Sequence, residues 1–165
     1  MLFEFTDIQS RNELSQLIDF LHKQNLNYPN YETWVQRTES EIDSGYKKTI
    51  LAFSDKIIVG DLIYQQHKTS PGFLELKNMR VHPAFNNRYF ARFMLRQAEA
   101  ENQNYDAIIC DAPSEFPEIV RFMESCGYFP ILSKPLYDNR EPEIVMIKPI
   151  QKSKKIIIPS ILNMF

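Results

Sequence analysis

The chain has 165 residues, of which 44% are hydrophobic and 24% charged, and its formal net charge is −2. These proportions are typical of a globular protein with one hydrophobic core. The weak negative charge argues against nucleic-acid binding through the overall field of the protein. The N-terminal stretch lacks the basic and apolar regions of a signal peptide, and no run approaches membrane-spanning length. We therefore expect a cytoplasmic protein with no membrane partner.

The two cysteines, Cys110 and Cys126, stand in apolar surroundings without CxxC spacing or clustered histidines. This pattern favours reduced, buried thiols over a disulfide or a metal site. An apolar packing role is also favoured for Cys126 over a nucleophilic one.

The first predicted element is a short strand, because "LFEFT" alternates apolar and polar residues. Asp7 or Ser10 can then cap a helix over "RNELSQLIDFLHKQN". A second helix, "YETWVQRTESEIDSG", is expected to end at Gly45. The apolar side chains of the first helix recur at helical spacing: Leu14, Leu17, Ile18 and Leu21.

The middle of the chain predicts three strands and a helix. The segments "KKTILAF" and "KIIVGDLIYQQHK" are typical of a hairpin around Ser54 and Asp55, and "GFLELKNMRVHP" is typical of a longer strand that Pro83 ends. A helix follows, and we expect these side chains on one of its faces: Phe90, Phe93, Met94, Gln97 and Ala98.

The last third predicts a buried strand "YDAIICDA", a helix "FPEIVRFMESCG" that stops at Gly127, and two final strands. No internal repeat or linker divides the chain, so a single domain is expected over residues 1–150. The tail 151–165, "QKSKKIIIPSILNMF", is a basic run followed by an apolar segment. It could dock on the domain or pair with another copy, which leaves a homodimer open.

Three segments and their order carry a resemblance to a known family. "MRVHPAFNNRYFARFML" places a V-x-P step before a polar turn and a helix, "IVRFMESCGYFPI" is a helix with a G-Y step into a strand, and "DKIIVGDLIYQ" holds a V-G pair in the hairpin. Together they resemble the GNAT superfamily of acetyl-CoA-dependent N-acyltransferases. The resemblance covers residues 2–150. It implies an α/β (α+β) fold, with a mixed, mostly antiparallel sheet of six to seven strands, helices on both faces and strands splayed at a cofactor notch.

The resemblance also implies acetyl-CoA as cosubstrate and an amine acceptor, either a small molecule or a protein. The pantetheine arm would pair with the backbone of Met79, Arg80 and Val81. The pyrophosphate would lie on the turn and helix start that follow. The residues implied there are Asn86, Asn87, Arg88, Tyr89, Phe90, Ala91 and Arg92.

The turn departs from the family pattern, because Tyr89 stands where the family has its first glycine, whereas Ala91 conforms. Backbone N–H groups can still bind phosphate if the tyrosine side chain points away. Arg88 and Arg92 favour an anion site, since cations in the first turn of a helix oppose its dipole at a cost of about 0.3–1 kcal/mol each. The alternative is a solvated basic face in which Arg96 pairs with Glu99.

Glu75 is the first candidate for a general base. Strand periodicity puts it on the same face as Met79 and Val81, and it has the offset from Val81 that the base has in histone-acetylating members of the family. A structural surface glutamate is the alternative. His82 is the second candidate base.

The general acid is not identified by sequence, because Met123 stands where many family members have a tyrosine. Phe116 likewise replaces an asparagine that touches the pantetheine arm in the family. The donors that could substitute for the tyrosine are Ser125, Tyr128 and Tyr137.

Three residues are candidates for binding the acceptor amine. Tyr31 and Trp34 fall in the region that closes over the acceptor in the family, although packing in the core is the alternative for both. Asp111 is expected at the carboxyl end of a strand, where open sheets bind ligands, or else at the start of a helix.

Two functions remain open from the sequence. The first is an N-acetyltransferase that acts by direct attack of an amine on acetyl-CoA. The second is a catalytically degenerate GNAT-fold domain that serves as a CoA-binding, scaffolding or protein-interaction module.

Overall fold

The computed structural model of the chain describes residues 2–24, 30–86, 88–137 and 141–150. Within these ranges the elements follow the order that the sequence predicts. The strands are β1 (Phe3–Thr6), β2 (Lys48–Ser54), β3 (Ile57–Gln66), β4 (Phe73–Val81), β5 (Ala107–Pro113), β6 (Phe129–Lys134) and β7 (Glu143–Pro149). The helices are α1 (Arg11–Lys23), α2 (Tyr31–Asp43), α3 (Phe90–Glu101) and α4 (Pro117–Ser125), with a 3-10 helix at Pro83–Phe85. The tail 151–165, with its predicted docking or pairing, lies outside the described residues.

The seven strands form one sheet in the order β1-β2-β3-β4-β5-β7-β6. The pairs β1–β2, β2–β3, β5–β7 and β6–β7 are antiparallel, whereas β4 and β5 are parallel. The predicted mixed, mostly antiparallel sheet is therefore confirmed. The parallel register joins 73–75 to 107–109, although β4 continues to Val81 and β5 to Pro113.

The chain divides into two compact units, each assembled from two separate segments. The first unit comprises Met1–Gln65 and Lys77–Ala100, and the second comprises Gln66–Leu76 and Glu101–Phe165. Strand β4 contributes to both, because the division falls between Leu76 and Lys77.

In the first unit helices pack on both faces of the strands, as predicted. Leu17 of α1, Val35 of α2 and Leu51 of β2 are fully buried in one apolar cluster. Helix α3 lies on the opposite face, since a Cβ added at Gly60 of β3 would lie 3.4 Å from the terminal methyl carbon of Met94. At Ser10 the predicted α1 cap forms, because the Glu13 N–H donates to the hydroxyl oxygen at 3.2 Å.

The buried stripe of α3 differs from the predicted one at Phe93. Its buried residues are Phe90, Met94, Leu95 and Ala98, whereas Phe93 is 53% exposed. Phe93 therefore lies at the edge of the predicted face, where its ring centroid is 5.7 Å from that of Phe5, and Leu95 extends the buried stripe on the other side.

The predicted turns appear where the backbone takes left-handed angles. Asp55 and Lys56 form the two-residue hairpin turn between β2 and β3, with φ values of 48° and 70°. Gly45 follows α2 at 76° and Gly127 follows α4 at 92°, a conformation that glycine adopts without steric cost.

In the second unit Ala107 and Ile109 of β5 and Ile147 of β7 form a buried cluster. Cys110, the next residue of β5, is also buried, and this burial raises the pKa of its thiol. Both cysteines are free thiols. In the part of the chain that the structure describes, no helix is both long enough and apolar enough to cross a membrane.

Candidate functional site

The strand–turn–helix of the first unit begins where β4 ends. The His82 backbone N–H donates to the Val59 carbonyl oxygen of β3 at 2.8 Å. The His82 ring then caps the 3-10 helix, because Nδ1 accepts the Ala84 N–H at 3.2 Å. A candidate base at this position therefore already uses one ring nitrogen to shape the turn. Its assignment as the alternative base stays a prediction.

Tyr89 has the backbone conformation that a glycine would supply. Its φ is 64°, in the left-handed region, and the residue is 69% exposed. For a side chain with a Cβ this conformation costs about 1–2 kcal/mol. Its carbonyl oxygen accepts the Phe93 N–H at 2.9 Å, so it immediately precedes α3. The turn thus has a glycine-like backbone without a glycine, and the tyrosine ring extends into solvent.

An aromatic cluster fixes the entry into α3. Phe90, the first residue of the helix, is 4% exposed, and its ring centroid lies 5.0 Å from that of Phe3 and 5.9 Å from that of Phe85. The guanidinium of Arg88 lies 5.4 Å from the Phe85 ring centroid, within range of a cation–π contact. These contacts hold the chain on both sides of Tyr89.

The helix start changes the argument about the two arginines. Because α3 begins at Phe90, Arg88 lies two residues before the helix, and its predicted place in the first turn is wrong. Arg92 is the third residue of α3, so the dipole argument applies to Arg92 alone.

The backbone N–H groups of the predicted phosphate site differ in whether a carbonyl oxygen of the protein accepts their hydrogen bond. The N–H groups of Phe90 and Ala91 open α3, where no carbonyl oxygen of the helix can reach them. The Asn86 N–H instead donates to the Pro83 carbonyl oxygen at 3.2 Å, which leaves its exposed side chain for any anion contact. Asn87 lies outside the described residues.

Arg80 does not direct its side chain to the predicted cofactor. The side chain is buried, and Nη1 donates to the Tyr31 hydroxyl at 2.7 Å and to the Gln24 carbonyl oxygen. Only its backbone could serve a pantetheine arm, together with the partly buried Met79 and Val81. The side chain links β4 to the end of α1 and the start of α2.

A buried polar group beside Arg80 was missed from the sequence. Asp61 of β3 is fully buried, and one of its carboxyl oxygens accepts an amide N–H of Asn78 at 2.5 Å. Burial raises the pKa of Asp61 to about 6, although the Asn78 hydrogen bond and the charge of Arg80 oppose the rise. We call Asp61, Asn78, Arg80 and Tyr31 the Asp61 cluster. The signal for it was a single aspartate inside the apolar strand "IIVGDLIY".

Tyr31 and Trp34 are core residues in the structure. Tyr31 is 5% exposed, and its hydroxyl donates to the Leu21 carbonyl oxygen at 2.7 Å. Burial raises the pKa of Tyr31, and the neighbouring Arg80 opposes this. The Trp34 ring stacks on Tyr31 at 5.6 Å and is partly exposed, with the ammonium nitrogen of Lys47 5.5 Å from its centroid. The packing alternative therefore describes what both side chains do here.

The remaining candidates lie in the second unit. Glu75 is partly exposed on β4, in register with Ile109 of β5. Asp111 lies among the last three residues of β5, toward the carboxyl end of the strand, whereas the alternative place at the start of a helix is wrong, because α4 begins only at Pro117. Its carboxylate accepts the Tyr137 hydroxyl at 3.3 Å.

Met123 and Phe116, which depart from the family pattern, lie in or just before α4. Met123 on α4 is 3% exposed, and Phe116 just before α4 is 43% exposed. Of the possible substitutes, the Ser125 hydroxyl donates to the Phe122 carbonyl oxygen at 2.6 Å and Tyr128 is buried, whereas Tyr137 is exposed and contacts Asp111.

No family model and no curated protein matches the sequence. Its structure, however, is similar to that of a Desulfovibrio desulfuricans protein assigned to the GNAT family of acetyltransferases. The TM-score is 0.79 at 13% identity, over 91% of this chain and 100% of that one. The ribosomal-protein-S18-alanine N-acetyltransferase of Escherichia coli gives 0.71 at 14% identity, over 94% and 99% of the two chains. The fold is that of the GNAT acetyltransferases.

A third GNAT-like structure is an aminoglycoside 6'-N-acetyltransferase solved with coenzyme A. It gives a TM-score of 0.72 at 16% identity, over 94% of this chain and 100% of that one. At identities this low the likeness establishes the GNAT fold. What individual residues do must be argued from their geometry in this chain.

Proposed function

We propose that the chain is an N-acetyltransferase that moves an acetyl group from acetyl-CoA to an amine by direct attack. The observation that carries the proposal is Tyr89, which holds a glycine-like backbone angle at the start of α3 in a GNAT fold. A tyrosine kept in a conformation that costs about 1–2 kcal/mol is explained if the turn must keep that shape for a ligand.

The turn and helix start fit the pyrophosphate of CoA. The opening N–H groups of α3 at Phe90 and Ala91 point along the helix axis toward its positive end. Arg92 stands in the same first turn, where a bound anion would offset the unfavourable interaction of its charge with the dipole. Arg88, stacked on Phe85, adds a second guanidinium close to the turn. Guanidinium groups can hold phosphate oxygens in bidentate hydrogen bonds.

Direct attack of the amine on the thioester needs a general base and forms no covalent intermediate with the enzyme. The lone pair of a neutral amine attacks the thioester carbonyl carbon, the carbon–sulfur bond breaks, and the CoA thiolate leaves. We assign Glu75 to take the proton that the amine nitrogen loses, directly or through water. The thiolate takes a proton from solvent or a neighbouring donor, because cysteine-like thiols have a pKa of about 8.5 and leave without a strong acid.

A second candidate function has an observation in its favour. Met123 is buried at the position of the family's tyrosine, and Phe116 stands at the position of its asparagine. A chain that keeps the turn but lacks both could bind CoA without turnover, as a scaffolding or interaction module.

Two measurements separate these functions. Calorimetry with CoA and acetyl-CoA tests binding, and a panel of small amines and N-terminal peptides assayed for release of free CoA tests turnover. Binding with amine-dependent release supports the enzyme, and binding without release for any amine supports the module. Absence of CoA binding would contradict both the enzyme and a CoA-binding module.

A further inference from the structure

The guanidinium of Arg80 connects strand β4 to helices α1 and α2 in the first unit. Its Nη1 atom donates to the carbonyl oxygen of Gln24, the residue after α1, and at 2.7 Å to the hydroxyl of Tyr31, the first residue of α2. The Tyr31 hydroxyl in turn donates to the Leu21 carbonyl oxygen in the last turn of α1, also at 2.7 Å. One side chain of β4 therefore holds both the end of α1 and the start of α2.

Most of this connection is shielded from water. Arg80 is 8% exposed and Tyr31 is 5% exposed, and the guanidinium carbon lies 5.2 Å from the centroid of the Tyr31 ring. The fully buried Asp61 supplies an opposite charge, which a buried cation needs. Because breaking these hydrogen bonds would leave buried polar groups unsatisfied, the connection resists displacement.

The backbone of Arg80 is held as well as its side chain. A Cβ atom added at Gly60 of β3 would lie 3.0 Å from the Arg80 carbonyl oxygen, so the two strands approach closely at this residue. Two residues later the His82 N–H donates to the Val59 carbonyl oxygen of β3 at 2.8 Å. The helix ends are therefore attached to a stretch of β4 that has little freedom to shift. This stretch is the one whose backbone we assign to the pantetheine arm.

We infer that Arg80 is a positioning residue that couples CoA binding along β4 to the end of α1 and the start of α2. The ligand of the β4 backbone comes from the proposed function, on which the inference rests. Hydrogen bonds to a pantetheine arm restrain the backbone of this stretch, and the buried guanidinium passes that restraint to both helix ends. Local opening of either helix end then costs more free energy when CoA is bound.

Amide hydrogen exchange measured by NMR, with and without saturating CoA, tests this coupling. The reporter for α1 is the Gln24 N–H, which donates to the Phe20 and Leu21 carbonyl oxygens. The reporter for α2 is the Trp34 N–H, which donates to the Asn30 carbonyl oxygen. In the parent protein we expect CoA to slow the exchange of both amides by about fivefold or more. An arginine with a purely structural role would leave their exchange unchanged when CoA binds.

Two variants separate the two connections that Arg80 makes. Tyr31→Phe removes the hydroxyl but keeps the ring, so the CoA-dependent protection of Trp34 should fall below about twofold. Gln24 should keep most of its protection in this variant, because its carbonyl oxygen still accepts from Arg80. Arg80→Met should abolish protection at both amides. It is combined with Asp61→Asn so that no buried charge remains without its opposite.

Tyr64→Phe is the matched control, because Tyr64 lies on β3 in the same unit and is also 5% exposed. It should leave the protection of both amides as in the parent. Equal loss at both amides in Tyr31→Phe, or any loss in Tyr64→Phe, would indicate general destabilisation and overturn the coupling. Protection that is distributed among the variants as expected supports the coupling even if no amine is acetylated.

The Phe90 N–H at the start of α3 reports on the phosphate end of the bound CoA. Protection of Phe90 without protection of Gln24 and Trp34 in the parent overturns the coupling and leaves the proposed function standing. Calorimetry that detects no CoA binding overturns the coupling together with the proposed function.

Discussion

The carbonyl oxygen of Tyr89 accepts the N–H of Phe93 at 2.9 Å while the Tyr89 backbone stays at a φ of 64°. The first hydrogen bond of α3 is thus made by a residue in the left-handed region. The rings of Phe85 and Phe90, which flank Tyr89 in the sequence, contact each other and hold the chain on both sides of it. The orientation of the start of α3 therefore depends on the backbone angle of Tyr89.

Tyr89→Gly should relieve this strain while the turn keeps its shape. The gain of about 1–2 kcal/mol from the left-handed angle is partly offset by the extra freedom of glycine in the unfolded chain, about 0.5–1 kcal/mol. We expect the free energy of unfolding in urea to be level or up to about 1.5 kcal/mol higher, with CoA affinity unchanged or modestly higher. Tyr89→Ala is the control, since it removes the ring and keeps the strain. Loss of CoA binding in Tyr89→Gly alone would show that glycine does not preserve the turn.

Arg92→Glu should abolish or strongly weaken CoA binding without unfolding the protein. A carboxylate in the first turn interacts favourably with the helix dipole, by about 0.3–1 kcal/mol, but it repels a pyrophosphate. We expect the Kd from calorimetry to rise by about tenfold or more and the parent Kd to rise with salt. Arg96→Glu, exposed one turn further along α3, should have a much smaller effect. Equal CoA affinity in Arg92→Glu and parent would put the phosphates elsewhere.

The stability of the Asp61→Asn variant relative to that of the parent protein should increase as the pH rises. Burial raises the pKa of Asp61 from 3.8 to about 6, so the folded state holds this proton more tightly than the unfolded chain does. The stability that the protonated group contributes is complete below about pH 4 and is lost as the pH rises through about 6. The neutral amide avoids that loss.

The difference in unfolding free energy between Asp61→Asn and parent should therefore increase by roughly 2–3 kcal/mol between about pH 4 and pH 7. Urea unfolding at several pH values measures it. Asp19→Asn makes the same change at the surface and serves as the control. A difference that stays constant over this range would show that Asp61 is ionised in the folded protein at no cost.

Glu75→Gln should slow turnover and leave CoA affinity intact. Removing the base should lower kcat/KM by roughly 10²–10⁴-fold at neutral pH, and the loss should shrink at higher pH, where more of the amine is neutral. Glu118→Gln, exposed in the first turn of α4, is the control. The measurement is CoA release with whichever amine the panel identifies. Equal rates for Glu75→Gln and parent across about pH 6 to 9 would move the search to His82.

The order of elements could be predicted from the sequence because it depends on local signals. Apolar residues at period two or at helical spacing identify strands and helices, and glycines at 45 and 127 end two helices at positive φ. The boundary of α3 could not be predicted, because it depends on a tyrosine in the left-handed region, which the intrinsic preferences of tyrosine oppose. The misplacement of Arg88 follows from that boundary.

The Asp61 cluster could not be predicted for a different reason. Asp61 and Asn78 are 17 residues apart, and Arg80 and Tyr31 are 49 apart, so both contacts depend on the tertiary fold. Strand periodicity puts Asn78 and Arg80 on one face of β4, but it does not identify the residues that lie opposite them. The contacts among these buried polar side chains were therefore visible only in the structure.

The division of β4 between the two units bears on how the protein is made. All segments of the first unit have been synthesised once residue 100 is added, whereas β7, which the second unit needs to pair with β5 and β6, ends at Pro149. At about 5–20 residues per second the ribosome takes roughly 3–10 s to add the roughly 50 residues between them. During that interval the turn and α3 can already form, while residues 73–75 of β4 await their parallel partner β5. A nascent chain stalled in this interval would present a half-paired strand to chaperones.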